Sequence, residues 1–491
     1  MKQPISAPPE HQESMACPPH CCIIFHSTRL LLATALLTLA ACVGKGPREL
    51  AEDAVPVPGK WQHGSSTIRP LDTAALPTWW RRFHDPVLDA LITDALRSST
   101  TVRSALEKIT EYRARRNVEA ANLFPTLTAN QSGAGTRTDS RITGTTFNSE
   151  SYKASFNTSW QVDLFGKQYQ NLKAAGADLE KISENYYGAQ VTLASDVATA
   201  YVALRSAEGQ LAVVENSLIT RRETVQLTQW LEQAGTGDAL DTQRSLTTLE
   251  QARTTMPALR LSIEQARNQL AFLSGRTPGS LDAQLARPRS VPEMPAGMAT
   301  GIPADTLRQR PDVRAAERAL EAAFFRTQNA RRQRLPSLTL TGSIGMEALK
   351  QGHIFSPESM LASIVAGFAT PVIDAGRLRQ NVRILTSQQR QALIAYESTV
   401  LNAFTEVENA LAAVQRYNEQ LHILNHALSA AREAAKLSAL QYSAGQVDLL
   451  VSLDAQRTLL TFEQQQVTTT AQCANASIQL YKALGGGWTH L

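Results

Sequence analysis

The sequence predicts a mixed, mainly α-helical chain in which each of two similar halves combines long coiled-coil helices with a β-hairpin of a membrane barrel. Three observations carry this prediction: an internal repeat, hydrophobic patterns that switch between period 2 and a helical period, and long proline-free stretches. Apolar residues make up 43% of the 491 positions and charged residues 19%, which excludes a disordered chain and a multi-span helical membrane protein. The formal charge of +4 is too small to indicate nucleic-acid binding.

The N-terminus has the pattern of an export signal. Arg29 precedes an uncharged run, residues 30–41, which has the length of a signal peptide's apolar region and is too short for a spanning helix. The run ends Leu39-Ala40-Ala41-Cys42, which resembles the lipobox of bacterial lipoproteins. We therefore predict a lipoprotein signal peptide at 1–41 and lipid attachment at Cys42. Ordinary cleavage after an A-x-A-like site and an uncleaved anchor are the alternatives.

The mature chain is an internal duplication. At an offset of 211 residues the run 124–128 aligns with 335–339, and at an offset of 210 residues Gly235 aligns with Gly445. Such a long shared register predicts two copies of one structural unit. The predicted segments are a lipidated strap along the surface at 42–86, repeat 1 at 87–275, a proline-punctuated extended linker at 276–303, repeat 2 at 304–487 and a tail at 488–491.

Each copy contains two strands long enough to cross a bilayer. Apolar and polar residues alternate strictly over Ser151–Asp163 and again from Ser337 to Met346. A strand of about 13 residues at ~3.3 Å each, tilted by about 40°, spans roughly 33 Å, which favours a membrane barrel over a soluble sheet. Four strands per chain cannot close a barrel, because about eight is the practical minimum, so closure requires several chains. The other predicted elements are first helices at Val87–Asn122 and Ala304–Arg334, partner strands at Thr126–Thr138 and Ser359–Asp374, and hairpin loops near 139–150 and 349–358.

A very long helix follows each hairpin. Residues 167–233 contain no proline and would extend about 100 Å as one helix. Apolar residues recur there at steps of three, four and seven, which is coiled-coil spacing, and the positions 210 residues later are apolar as well. Shorter returning helices are predicted at Ala239–Leu273 and Leu449–Leu484.

Two copies of helix, strand, strand, long helix, turn and helix behind a lipobox resemble the TolC-like outer membrane efflux proteins, in particular the lipoprotein subgroup that serves RND-type pumps. The resemblance covers nearly all of 42–487. Local motifs agree with it: Trp79-Trp80-x-x-Phe83-x-Asp85-Pro86 before the first helix, Arg310-Pro311-Asp312-Val313 opening the second copy, and Gly445 followed by Asp454-Ala455-Gln456-Arg457 after the last turn.

The resemblance implies a homotrimer anchored in outer membrane lipid. Its twelve strands, four from each chain, would form one transmembrane β-barrel, continuous with a coiled-coil helical barrel in the periplasm. The implied partners are a periplasmic adaptor (membrane fusion) protein and an inner-membrane RND-type transporter. The function expected on this basis is the passive conduction of small amphipathic or toxic compounds out of the cell, with no cofactor beyond the covalent lipid on Cys42.

The resemblance also suggests functional residues near the helix turns. Gly235, Gly237 and Gly445 match the tips where adaptor hairpins dock, although glycine also serves to reverse the chain between antiparallel helices. The candidate periplasmic gate consists of Asp241 and Tyr442, which match a bridging pair, and of Asp454, which matches one member of an acidic ring. The sequence departs from the family pattern at two further positions: Val447 replaces a bridging arginine and Val451 replaces the second acid of the ring.

No catalytic motif competes with this interpretation. The sequence has no Walker A loop, no His-Glu-x-x-His and no Gly-x-Ser-x-Gly, so an enzyme is not expected. His422 and His426 share a helix face, but two ligands without a third are usually a polar surface, and no metal is expected. The alternatives are the same duct serving type I protein secretion or metal-ion efflux, a structural coiled-coil lipoprotein of the envelope and, more remotely, a hydrolase of envelope polymers.

Overall fold

A computed structural model describes residues 46, 61–62, 76–142, 144–293 and 307–488. The predicted signal peptide at 1–41 and Cys42 lie outside these ranges. Helices dominate the described chain, and its strands form one four-stranded sheet. After a 3₁₀ helix at Leu76–Phe83, the elements are α1 (Pro86–Ser98), α2 (Thr100–Ala121), β1 (Thr126–Ser140), β2 (Thr145–Val162), α3 (Lys167–Gln233), α4 (Ala239–Leu273), α5 (Asp282–Leu285), α6 (Pro311–Arg332), β3 (Ser337–Ala348), β4 (Met360–Ala369), α7 (Arg377–Ser443) and α8 (Leu449–Ala483).

The long helices α3 and α7 are each 67 residues and unbroken, and α3 has the bounds that the proline-free stretch predicts. Both follow a glycine in the left-handed conformation, Gly166 and Gly376, which lets the chain turn sharply out of the sheet. The returning helices α4 and α8 are each 35 residues and pack along α3 and α7. In the described ranges, no helix is both long enough and apolar enough to cross a membrane.

The four strands pair antiparallel in the order β1-β2-β3-β4, so β2 and β3 join the hairpins of the two copies. The predicted loop at 139–150 is wrong for most of its length, because β1 and β2 continue to pair as far as Ser140 opposite Thr145. The polar residues of that segment, mostly Thr, Ser and Asn, suit a strand with both faces wet. The last strand is shorter than predicted and ends at Ala369. Within the described chain, β1 and β4 each have one unpaired edge.

The first helix of each copy also differs from the prediction. The helix predicted at Val87–Asn122 is broken at Ser99, which ends α1 and begins α2. The break lies where Gly275, just after α4, approaches so closely that a Cβ there would be 2.6 Å from the Ser98 carbonyl oxygen. In copy two, α6 begins at Pro311, where proline suits the first turn of a helix.

The centre of the helical region is a core built around the end of the N-terminal strap. Trp79 is fully buried and stacks on Tyr481, with 5.3 Å between the ring centroids. The prediction that the strap lies along the surface is therefore wrong for the 3₁₀ helix at Leu76–Phe83. The glycine run after α8 reaches the same core, since the Gly487 N–H donates to the Leu76 carbonyl at 3.0 Å.

The linker between the copies is less extended than its prolines suggest. In its described part, 276–293, residues Asp282–Leu285 form the short helix α5. Leu281 and Leu285 are buried in the central core. These two apolar side chains anchor the segment, because burying each leucine contributes about 1.5–3 kcal/mol.

Asp85 and Arg310, each from one of the sequence motifs, connect the helices around this core. The Asp85 carboxylate caps α1 by accepting from the Val87 N–H at 2.9 Å, and it also accepts from the Tyr201 hydroxyl at 2.6 Å. Arg310, buried at the start of α6, donates to the Ala483 carbonyl at 2.9 Å and pairs with Glu406. The motif residues therefore tie α1 to α3, and α6 to α7 and α8.

Candidate functional site at the turns between the long helices

Both turns reverse the chain with the same hydrogen-bonded motif. Gly235 and Gly445 have φ values of +72° and +71°, a region that residues with a Cβ rarely adopt. The Thr236 N–H donates to the Leu231 carbonyl at 3.0 Å, and the Gln446 N–H donates to the Gln441 carbonyl at 2.8 Å. These are Schellman motifs, which satisfy the last carbonyls of α3 and α7.

The turns differ at the next predicted tip residue. A Cβ at Gly237 would lie 2.8 Å from the Leu231 Cβ, so the first turn leaves no room for a side chain there. The corresponding position in copy two is Val447, which is half-buried against its own turn. The two tips therefore share the Schellman hydrogen bonds, but only the first turn adds a bond from the Gly237 N–H to the Leu231 carbonyl, at 2.9 Å, and a side-chain cap from Asp238.

Large apolar side chains flank both turns, and the sequence analysis missed them. Trp230 and Leu440 occupy equivalent positions one turn before each helix ends and are 59% and 58% exposed. Leu240 and Leu450 are equivalent positions at the start of each returning helix, and both are about half exposed. The signal that would have identified them is the recurrence of apolar residues at offset 210 beside polar turns. Exposed apolar residues that recur in this way indicate a contact surface.

The structure brings Asp241 and Tyr442 near each other. Tyr442 is half-buried, and burial together with the nearby negative charge of Asp241 raises the pKa of its hydroxyl. In the described part of the chain no hydrogen bond joins the two side chains, and Asp241 instead pairs with Arg244 at 3.4 Å. A phenol is protonated at neutral pH even at its ordinary pKa, so Tyr442 can serve as a hydrogen-bond donor for a carboxylate.

Asp454 lies on α8 and is largely exposed. Its carboxylate pairs with Arg457 at 2.5 Å, one turn further along the same helix. Asp241 has its arginine at the same spacing, so each acid of the candidate gate has its own cationic partner. Arg244 was not predicted, and Arg457 was recognised only as part of a motif, although the i, i+3 spacing of both pairs is visible in the sequence. Each arginine offsets part of the negative charge that a ring of carboxylates would carry.

The two acid–base pairs border one groove. This groove, of about 780 Å³, runs between α4 and α8, and Arg244, Asp454 and Arg457 lie on its walls. Arg221 of α3 lies at its base, buried, and donates to the Thr248 carbonyl at 3.3 Å. Burial lowers the pKa of the Arg221 guanidinium. The groove wall is therefore rich in arginine, with one exposed acid.

His422 and His426 lie on the exposed side of α7. Their rings pack edge to face with 4.9 Å between the centroids. In the ranges that the structure covers, no set of three or more His, Cys, Asp or Glu side chains is arranged to hold a metal ion. His422 and His426 are part of the exposed polar surface of α7.

Comparison with known proteins agrees with this architecture. The family model described as "Outer membrane efflux protein" matches residues 91–276 and 302–486, one segment in each copy. The antibiotic efflux pump outer membrane protein ArpC of Pseudomonas putida is 30% identical over 466 residues, which are 94% of this chain and 95% of that protein. The solvent efflux pump outer membrane protein SrpC, also of Pseudomonas putida, is 31% identical over 464 residues, or 93% of this chain and 97% of that protein.

The fold is similar to that of a solved outer-membrane channel. The structure of the channel OprN superposes with a TM-score of 0.80 at 30% identity, covering 88% of this chain and 99% of that chain. The fold is therefore the TolC-type fold of outer membrane channels, as the duplicated pattern of hairpins and long helices predicted. Since the family model covers most of the chain and relatives match along nearly their whole length, this chain belongs to the outer membrane efflux protein family.

Proposed function

We propose that this chain, lipid-anchored at Cys42, forms a homotrimeric channel that completes a tripartite efflux system. Because the chain belongs to this family, it is an outer membrane component of an efflux system and not an enzyme. The observation that carries the proposal is a four-stranded amphipathic sheet with two open edges, directly continued by helices of 67 residues. Three such sheets supply twelve strands, enough to close one barrel.

The turns between the long helices are the proposed docking surface for a periplasmic adaptor. The apolar side chains of Trp230 and Leu440, together with Leu240 and Leu450, flank the glycine tips at Gly235, Gly237 and Gly445. Exposed aromatic and aliphatic residues of this kind are common anchors in protein interfaces. An inner-membrane RND-type transporter would supply the energy for export.

The proposed cargo is small, amphipathic or toxic molecules. The names of the similar proteins ArpC and SrpC refer to efflux of antibiotics and solvents. The groove between α4 and α8 is wide and partly apolar, which suits transient contact with such compounds better than tight binding of one ligand.

Asp241, Tyr442 and Asp454 are the proposed gate. In the closed state, Tyr442 would act as a hydrogen-bond donor toward Asp241, and the carboxylates of three Asp454 residues would ring the pore. Val447 and Val451 stand where the family pattern has an arginine and an acid, so this gate has fewer polar links. Arg244 and Arg457 hold the two acids in place.

Planar-bilayer conductance of the detergent-purified protein tests the proposal, with crosslinking to count the chains. We expect discrete trimeric channels, small at rest, and larger conductance after Asp241→Ala. Asp196→Ala, an exposed acid of α3 far from the turns, is the control and should leave the conductance unchanged. A monomer on the gel with no conductance from either variant would overturn the channel proposal in favour of a structural envelope lipoprotein.

The lipid anchor has a separate test. Mass spectrometry of the mature protein should find an N-terminal Cys42 carrying acyl chains, and Cys42→Ala should abolish labelling by radioactive palmitate. A mature N-terminus at another residue, without acyl groups, would contradict the lipoprotein assignment and leave the channel proposal standing.

A further inference from the structure

The internal duplication shows where one helix face lacks its partner. In copy two, α6 packs between α3 and α7. Its equivalent in copy one, α2, has the same length of 22 residues and packs against α3, with no comparable contact to the second long helix in the described chain. One side of α2 and one side of α7 therefore match an interface that exists between α6 and α3.

The side of α7 that lacks a partner helix carries exposed apolar residues. The equivalent side of α3 is buried, because α6 packs on it. Ala174 of α3 is buried, and its equivalent at offset 210, Ile384, is 55% exposed. Ile394 is a further exposed apolar residue on this side of α7, at 61%. Large aliphatic side chains at two such positions indicate a surface that another helix covers.

The matching side of α2 is exposed as well. Ala322 of α6 is fully buried, whereas its equivalent at offset 211, Glu111, is exposed. Asn329 of α6 is buried and its Nδ2 donates to the Lys167 carbonyl at 2.8 Å, whereas its equivalent Val118 is 61% exposed. The side chains of α2 that correspond to the α3-facing side of α6 thus lie in solvent in the single chain.

One ion pair indicates which helix covers the exposed side of α7. Ion pairs join α6 to α3, among them Arg318 Nε to Glu180 Oε2 at 3.3 Å. The α2 equivalent of Arg318 is Glu107, and the α7 equivalent of Glu180 is Arg390. Both are exposed, so the copy that lacks its partner carries the same pair with the charges exchanged. The other two ion pairs between α6 and α3, Arg314 with Glu184 and Arg326 with Asp178, have no such counterpart, because their equivalents are Arg103 with Ile394 and Arg115 with Gln388.

We propose that α2 of one protomer docks on α7 of the next protomer, with Glu107 paired to Arg390 across the interface. The inference rests on the trimer of the proposed function. It adds the helix surfaces that meet between protomers and the ion pair that selects them. The exchanged charges also select the correct partner helix. If α2 replaced α6 on α3, Glu107 would face Glu180, and if α6 lay on the neighbour's α7, Arg318 would face Arg390. Like charges at both wrong interfaces disfavour a misassembled ring.

Charge reversal in the full-length protein tests the pair. We expect Glu107→Arg and Arg390→Glu each to lower the trimer fraction of dilute detergent-solubilised protein by roughly fivefold, because each places like charges in contact. The double variant should restore the wild-type fraction. Glu433→Arg is the matched control, since Glu433 and its copy-one equivalent Glu223 are both exposed, and it should leave the trimer intact.

A crosslink tests the same interface without relying on charge. With Cys473 replaced by serine, Glu107→Cys and Arg390→Cys in one chain should yield an inter-chain adduct with a short bismaleimide. A stable trimer that forms no adduct and is indifferent to both reversals would overturn this interface and leave the channel proposal intact. A wild-type protein that is monomeric would instead remove the proposed function and this inference together.

Discussion

At the residue scale, the candidate gate combines one half-buried phenol with acids that have their own arginines. Tyr442 is influenced by Asp241, and Asp241 is held by Arg244. The second acid, Asp454, is held by Arg457 at the same helical spacing. Both ion pairs thus form within a single chain.

Removing the charge of Asp241 should lower the pKa of Tyr442. Burial and the Asp241 charge both raise this pKa, so Asp241→Asn removes one of the two causes and the pKa moves back toward its ordinary value. Ultraviolet difference titration of tyrosinate, with Tyr442→Phe as the reference, measures the shift. Asp454→Asn should leave the titration as in the wild type. An unchanged Tyr442 titration in Asp241→Asn would show that the two side chains are not coupled.

Tyr201 is the phenol at the centre of the core. Its hydroxyl donates to Asp85, and its ring lies under the Arg205 guanidinium at 4.8 Å. Burial, followed by the hydrogen bond to Asp85, raises its pKa to about 12. The stabilisation linked to this shift is fully present below about pH 10 and is lost as the pH rises through about 12, because the folded state binds this proton more tightly than the unfolded state.

Tyr201→Phe should destabilise the protein at neutral pH. The loss of the donor to the buried Asp85 carboxylate costs about 1–2 kcal/mol, which for a chain of 491 residues corresponds to an apparent Tm roughly 1–2 °C lower. The difference from the wild type should shrink at strongly alkaline pH. Thermal unfolding followed by circular dichroism measures both effects. Tyr169→Phe, which retains the ring under Lys173, is the control, and an equal effect of the two changes would contradict this role of Tyr201.

At the element scale, the long helices follow directly from local sequence. An unbroken run without proline continues each helix, and a glycine that can adopt positive φ ends it. Within the turns themselves two residues differ, Thr236 against Gln446 and Gly237 against Val447. The same secondary structure therefore carries two different tip surfaces, which suits docking sites that a partner distinguishes.

At the tip positions Gly235 and Gly445, the stability of the protein should decrease in the order Gly, Asn, Ala. Gly235→Ala and Gly445→Ala each force a Cβ into the left-handed region and should destabilise the chain by about 1 kcal/mol, whereas asparagine tolerates that region better. Apparent Tm values measure the rank. Gly176→Ala is a control with the opposite sign, since Gly176 lies inside α3 with open space around its Cα. Equal Tm values for Gly235→Ala and the wild type would show that the turn relaxes without strain.

At the scale of the whole molecule, the single chain is open in two places. The sheet has free edges at β1 and β4, and one side of α7 lacks the helix that its equivalent in copy one has. Free strand edges expose backbone donors and acceptors that invite pairing. The proposed trimer would close both openings at once, because the same neighbour could supply a strand edge and a helix.

Closure of the barrel predicts protection of the edge strands. In the membrane-inserted trimer, amide hydrogens of β1 and β4 should exchange as slowly as those of β2 and β3, because each edge gains a partner strand. In a monomer produced by Glu107→Arg they should exchange faster than those of the central strands. Hydrogen–deuterium exchange with mass spectrometry measures this. Rapid exchange at β1 and β4 in the assembled trimer would contradict closure.

The sequence by itself determined the repeat, the hairpins, the long helices and their turns, because hydrophobic period, proline placement and glycine position act over a few neighbouring residues. Only the tertiary structure decided the break at Ser99 and the burial of Trp79. The break follows from contact with Gly275, and the burial of Trp79 from contact with Tyr481, residues far away in the chain. The proposed pairing of Glu107 with Arg390 likewise depends on the packing of α6 between α3 and α7, which the sequence alone does not show. Local patterns specify elements, whereas contacts between distant residues depend on how those elements pack.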